Sequence, residues 1–235
     1  MRIWGTDLAT MHFIVTAGPT REHLDPVRFL SNPSTGRMGF AVARAARAAG
    51  HEVTLVAGPV VLRTPRGVRR VDVVSARDML GAVRRAVAAS EGPSALVMTA
   101  AVADWRPARY AARKLKKSQM QGVLALVRNP DILKTLDSSL PRRDKARLVR
   151  VGFAAETGDP TAEAARKCRE KGLDLVAAND VSRPGSGFGA ETNQVTFVFP
   201  DGTVERLPKM SKLAVARRIV RTAERLCRLQ NNTNF

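Results

Sequence analysis

Lys114, Lys116 and Lys117 stand close together in a polar stretch and could neutralise phosphate charge. In an extended loop, alternation sends Lys114 and Lys116 to the same side. Ammonium groups so placed stabilise negative charge as it builds up in a transition state. A solvated basic loop is the competing reading. Lys167 and Lys171 lie four apart in a predicted helix, where like charges oppose each other by roughly 0.2–0.5 kcal/mol. A bound polyphosphate would reverse the sign of that term. Upstream, Ser34-Thr35-Gly36 precedes an alanine-rich periodic run. Hydroxyls and unhindered backbone at a helix start favour an anion, through free N–H groups and the helix dipole. Arg28 and Arg37 add charge on either side, and Asn32 is a neutral donor and acceptor between Ser31 and Pro33. An ordinary capped helix behind a long loop explains the same residues without a ligand.

The elements that must hold these groups follow from hydrophobic patterning. Phe13-Ile14-Val15 reads as a buried first strand, about His12 to Thr16. Some twenty residues separate it from a helix over Phe40 to Ala49 that Gly50 stops, whereas such connections usually take about 2–6. Further strands are predicted at 51–56, 71–74, 94–99, 148–153 and 173–177, with a possible strand at 122–127. Ser75 and Asp78 form a helix-start pair ahead of an apolar stripe at Met79, Ala82, Val83 and Val87. Asn129-Pro130-Asp131-Ile132-Leu133 begins a short helix with Pro130 at its first position. A helix spans about Thr161 to Lys171. Residues 185–189 read as a flexible loop, and 194–199 with 203–207 as a hairpin around Asp201-Gly202. Ser211 caps a last helix to about Leu229.

Strands alternating with helices predict an α/β fold: a doubly wound, mostly parallel, Rossmann-like sheet with a protruding flap and a C-terminal hairpin. In such sheets the carboxyl ends of the strands share a rim. That rim should gather Asn32, Asp104, Lys114, Phe153 and Glu156. Residues 1–11 read as a loose extension, 12–229 as one domain and 230–235 as a disordered tail.

Length and composition bound the class. The chain has 235 residues, 44% of them hydrophobic, and a formal charge of +18. That charge raises the question of nucleic acid. The basic residues are spread along the whole chain, however, and aromatics are only 5%. A small polyanionic substrate is the more economical use of the charge. No apolar run approaches the roughly 20 residues that span a bilayer, and no signal peptide is evident, which places the protein in the cytoplasm. Cys168 and Cys227 lack zinc spacing, and no histidine motif for metal is present, so no metal ligands are expected. Tyr110 and Lys114 fit the Tyr-x-x-x-Lys spacing of short-chain dehydrogenases, but Gly18-Pro19 and a long insertion stand where those enzymes carry a glycine-rich turn. An NAD(P)-dependent reductase therefore stays as an alternative, as does a non-catalytic nucleotide-binding regulator of the same fold.

Several long motifs occur together and in order: Gly18-Pro19-Thr20-Arg21-Glu22, Asp25 to Asn32, Gly36-Arg37-Met38-Gly39, Ala100 to Trp105, Lys114 to Lys117, Asn129 to Leu133, Gly152 to Thr157 and Ala178-Asn179-Asp180. In these the chain resembles the phosphopantothenoylcysteine synthetase (phosphopantothenate–cysteine ligase) family, from about residue 12 to 226. The resemblance implies a step of coenzyme A synthesis in which 4'-phosphopantothenate, CTP and cysteine react through an acyl-cytidylate, with ATP as an alternative nucleotide. It also implies Mg²⁺ accompanying CTP, and a homodimer whose sites are completed across the interface by a flap around 105–120. Carried over by motif, Asn32 and Lys114 would be catalytic. Arg28, Ala101, Ser34 and Gly36 would bind the acid substrate. Asp104, Lys114, Pro130, Asp131, Ile132, Leu133, Phe153, Lys167 and Lys171 would contact the nucleotide. The flavin decarboxylase half often fused to such domains is not in this sequence, so no flavin is expected. Neither nucleic acid nor membrane is an expected partner. Ser34-Thr35-Gly36 replaces the family's usual Ser-Ser-Gly, and Trp105 stands where Tyr is common.

Overall fold

The computed structural model describes residues 10–116, 122–156, 159, 161–180 and 191–233. Apolar β-branched runs form the middle of one eight-stranded sheet. Its parallel strands are β1 (His12–Ala17), β4 (Glu52–Ala57), β5 (Arg69–Asp72), β6 (Ser94–Met98), β9 (Leu148–Glu156) and β10 (Leu175–Asp180). They lie in the order β5-β4-β1-β6-β9-β10. The chain winds outward from β1 in one direction, then returns to build from β6 in the other. The crevice between β1 and β6 is therefore the topological switch point, where doubly wound sheets bind ligands.

The expected C-terminal hairpin is β12 (Val195–Val198) and β13 (Val204–Arg206). It is not a separate appendage, because β12 pairs antiparallel with β10 and so extends the main sheet.

Alternating side chains make two apolar faces. Phe13, Val15, Leu55 and Val97 point to one, covered by α1 (Arg37–Ala48) and α6 (Lys212–Thr233). Ile14, Val56, Leu96 and Met98 point to the other, covered by α2 (Ala76–Ala88) and α3 (Ile132–Ser139), which the short α4 (Arg142–Ala146) follows, with α5 (Thr161–Lys171) beside them. The capping box expected at Ser75 is formed: its hydroxyl accepts from the Asp78 N–H, and Asp78 accepts from the Ser75 N–H.

Several boundaries differ from the sequence reading. Met11 is buried in the core and its carbonyl accepts from the Glu52 N–H, so the ordered domain begins before residue 12. Helix α1 starts at Arg37, three residues earlier than periodicity indicates, because Gly39 serves close packing rather than ending the loop. Asp131 caps α3, which leaves Pro130 before the helix and not at its first position. Helix α6 continues to Thr233, past Leu229, since Cys227 and the Gln230 amide still find partners on the body of the domain. The long connection after β1 contains a hairpin, β2 (Arg21–His23) and β3 (Phe29–Ser31). The flap has β7 (Trp105–Pro107) paired with β8 (Leu126–Arg128). Lys117 and the loop 185–189 lie outside the described residues.

Candidate functional site

The loops after β1 and β6 are fastened to each other by backbone bonds. The Ala101 N–H donates to the Gly18 carbonyl at 2.9 Å, and the Thr20 N–H to the Ala101 carbonyl at 3.3 Å. The Thr20 hydroxyl accepts from the Ala103 N–H at 3.0 Å. Small residues from Thr99 to Ala103 permit this close approach, and they line a cavity of about 650 Å³. That volume suits a nucleotide-sized ligand.

Helix α1 points its N-terminus into this cavity. Gly36 takes a left-handed φ of 76° as the N-cap, and no side chain caps the helix. Gly39 lets the first turn sit directly on β1 and β6: a Cβ there would come within 2.5 Å of the Ala17 Cβ and of the Thr99 hydroxyl. The orphan N–H groups and dipole of such a turn favour an anion.

The opposite wall comes from the loop before α3 and from α5. Asn129 donates to the Ala103 carbonyl at 2.8 Å, and its own N–H donates to the Asp104 carbonyl at 2.8 Å. These bonds fix Asp104 beside Pro130, Asp131, Ile132 and Leu133 on the cavity surface. The ammonium of Lys171 meets Asp131 at 2.9 Å, and Lys167 meets Glu163 at 3.6 Å. Burial pushes the Asp131 carboxyl up, but its bonds from Lys171 and the Lys134 N–H outweigh that and hold it below the usual range. The two lysines thus line the cavity together, and carboxylates on one side of them balance part of their charge. Phe153, half-buried at the end of the β9 wall, offers an aromatic edge.

Asn32, Arg28 and Lys114 do not line the cavity within this chain. Asn32 is exposed, and its amide donates to the carbonyls of Ala101 (3.2 Å) and Val102 (3.3 Å), so it rides on a loop that does line it. Arg28 lies at the hairpin tip. Its guanidinium bonds the buried Asp25 carboxylate at 2.6 and 3.0 Å and the Leu115 carbonyl at 3.0 Å. Asp25 also accepts from the Leu115 N–H at 3.2 Å. The Arg28 guanidinium, with backbone donors and against the opposing effect of burial, leaves the Asp25 carboxyl well below the usual carboxylate range. This clamp holds exposed Lys114 next to the tip. Four residues of extended chain from Arg28 to Asn32 amount to about 13 Å. Glu156 ends β9, and the expectation for its side chain lies outside what the structure describes. Tyr110 is exposed and the segment through Lys114 is not helical, so the dehydrogenase pattern lacks the helix turn that would align its two members.

Residues 8–226 match the DNA/pantothenate metabolism flavoprotein C-terminal domain. The chain belongs to that family. It is 47% identical over 206 residues to the coenzyme A biosynthesis bifunctional protein CoaBC of Bacillus subtilis, covering 87% of this chain and 49% of the relative. With CoaBC of Vibrio vulnificus the figures are 43% over 215 residues, 91% and 52%. The chain therefore spans about half the length of the curated relatives it matches. A crystal structure of a CoaBC C-terminal domain superposes with a TM-score of 0.76 at 38% identity, covering 94% of this chain and 98% of that one.

Within the family fold, Ser34, Gly36, Ala101, Asp104, the 130–133 loop, Phe153, Lys167 and Lys171 line one cavity. Among the other lining residues, Asn179, Asn193 and Lys212 are polar side chains that the sequence reading does not assign to the site. Asn179 had stood inside a motif, but no spacing rule singles out an amide at a strand end. Lys212 carried a usable signal, since a cation in the first turn opposes the helix dipole. Among the described residues no three His, Cys, Asp or Glu side chains gather as metal ligands, and no helix is long and apolar enough to cross a membrane. Both cysteines are buried and free; burial pushes the Cys168 thiol up to about 11, which keeps it an inert thiol.

Proposed function

We propose that this chain joins 4'-phosphopantothenate to cysteine, using CTP. The observation that carries the reading is a nucleotide-sized cavity at the switch point, with an uncapped helix start at one end and a lysine pair beside the 130–133 loop at the other. Kinship to half of the CoaBC proteins, named for coenzyme A biosynthesis, supports it.

In this mechanism a carboxylate oxygen of 4'-phosphopantothenate attacks the α-phosphorus of CTP and pyrophosphate leaves. The amine of cysteine then attacks the acyl carbon, and CMP departs with that oxygen. Phe153 and the 130–133 loop would seat the base. Asp104, Lys167 and Lys171 would contact the nucleotide, and Ser34, Gly36 and Ala101 the reacting carboxylate end of the acid substrate where it meets the phosphates. Mg²⁺ enters as part of the nucleotide substrate, neutralising phosphate oxygens. Asn32 would hold the pantothenoyl part of the intermediate, and Lys114 would stabilise charge at the reacting phosphate.

Lys114 stands outside the cavity of its own chain, which favours a site completed by a second copy. The flap and hairpin carry exposed Trp105, Val123, Leu126, Val127, Val27 and Phe29, an apolar surface suited to that contact. Arg28 then serves by shaping the flap as well as by facing the acid.

The test is pyrophosphate release in the presence of CTP, 4'-phosphopantothenate, cysteine and Mg²⁺, with ATP compared. Release that requires both CTP and the acid is expected. Nucleotide hydrolysis indifferent to the acid, or no release from either nucleotide, would rule the reading out.

A further inference from the structure

Strands β11 (Thr192–Asn193) and β14 (Met210–Ser211) form a short antiparallel bridge beside α1. The bridge sets Asn193 against Met38 of the α1 first turn, with amide and sulfur at 3.7 Å. It also brings Lys212, the first residue of α6, to the cavity wall. Lys212 is 9% exposed and Asn193 is 4% exposed. The ammonium donates to the Asn193 Oδ1 at 3.0 Å. Lys212 forms no ion pair among the described residues. The nearby Glu191 carboxylate is engaged by Arg37.

Three effects disfavour a cation here. Burial lowers the Lys212 ammonium's affinity for its proton, Arg37 adds repulsion, and Glu191 opposes them only in part. The first turn of α6 presents its positive dipole end to the same group. A chain that hydrogen-bonds a desolvated ammonium to a neutral amide at a cavity wall holds a positive charge in reserve. An anion in the cavity would compensate all three terms.

We propose that Lys212, oriented by Asn193 and seconded by Arg37, is a binding residue for the polyphosphate chain of a nucleoside triphosphate at the α1 end of the cavity. The identity of the nucleotide rests on the ligase reading; the site itself rests on the geometry of Lys212, Asn193 and α1. Together with Lys167 and Lys171 on the far wall, it puts cations at both ends of the cavity. The acid substrate, entering from the Asn32 side, does not depend on Lys212.

The test compares wild type with Lys212→Met and Lys212→Arg by calorimetric titration with inorganic tripolyphosphate and with CTP, and by KM for each substrate. Loss of a charge-assisted bond to phosphate predicts roughly 10- to 100-fold weaker binding of both in the Met variant. Lys212→Arg should stay within a few-fold of wild type. KM for 4'-phosphopantothenate should hold, and the empty Met variant should melt close to wild type. Binding of tripolyphosphate that is absent in wild type, or equal in wild type and Lys212→Met, would overturn the proposal. So would Met and Arg variants that both melt far below wild type and lose every ligand alike, the mark of a scaffold residue. Weakened tripolyphosphate binding in a protein without ligase turnover would leave the phosphate site standing and remove the ligase reading.

Discussion

Around the cavity, the α1 side and the flap side are held by different means. On the α1 side, a glycine-mediated contact brings the helix onto β1 and β6, main-chain bonds join Gly18, Thr20 and Ala101, and buried Lys212 and Asn193 close the wall. All of these lie within one chain. On the flap side, Asn32 and Lys114 are exposed and line no part of the cavity, and the Asp25–Arg28 clamp holds the Lys114 segment at the hairpin tip. The difference teaches that the cavity is a product of the fold of one chain; on the reading proposed above, the reacting half of the site is completed by association.

The strongest way to break this contrast is Lys114→Gln. It should lower turnover by roughly 10²–10³-fold, as loss of one transition-state donor does, while the melting temperature barely moves, because Lys114 is exposed. Wild-type turnover in that variant would remove its catalytic role. A sharper form mixes Asn32→Ala with Lys114→Gln. If the two act across a two-fold interface, random exchange of subunits restores roughly a quarter of the wild-type sites. No recovery on mixing would place both in one chain.

Next in size is Gly39→Ala. With the added Cβ 2.5 Å from the Ala17 Cβ and the Thr99 hydroxyl, overpacking should cost about 1–3 kcal/mol and raise KM for the nucleotide. Unchanged denaturant midpoint and KM would show that α1 has room to shift. Asp25→Asn probes the clamp. The Asp25 carboxyl titrates lower in the folded protein than in the unfolded chain. Its contribution is therefore present above the ordinary Asp range near ~3.9 and is lost as pH falls through the folded value. The variant should flatten the acid limb of the stability curve and reduce turnover through a loosened flap. An acid limb identical to wild type would deny Asp25 that role. The smallest effect is expected at Ser75→Ala, which removes the cap of α2 far from the cavity. It should cost about 1 kcal/mol in thermal or denaturant unfolding with kcat unchanged.

Much of the sheet was legible because its strands are short apolar runs set off by glycine, proline and polar turns, as at Phe13-Ile14-Val15 and Ser94 to Met98. The capping box at Ser75 was legible because its two reciprocal bonds need only a three-residue spacing. What stayed hidden depends on tertiary contacts. The β2–β3 hairpin is three residues a side, too short for alternation to register, and it is anchored by Glu22 accepting from the Ala76 N–H across 54 positions of sequence. Pro130 satisfies a first-position rule, yet Asp131 wins the cap because its carboxylate also meets Lys171. At the cavity, the loops at 34–36, 100–104 and 129–133 were legible as motifs and Lys167 with Lys171 as a four-residue spacing, while Lys212 and Asn193 come together only through the β11–β14 bridge. The separation of Lys114 from the cavity reflects the Asp25 clamp, which no pattern of charge in the loop reveals.

Oxygen tracing tests the central claim most directly. When 4'-phosphopantothenate labelled with ¹⁸O in its carboxylate is turned over with CTP and cysteine, the acyl-cytidylate route predicts one labelled oxygen in the phosphate of CMP and none in pyrophosphate. Label appearing in inorganic phosphate, or CMP formed without label, would contradict it.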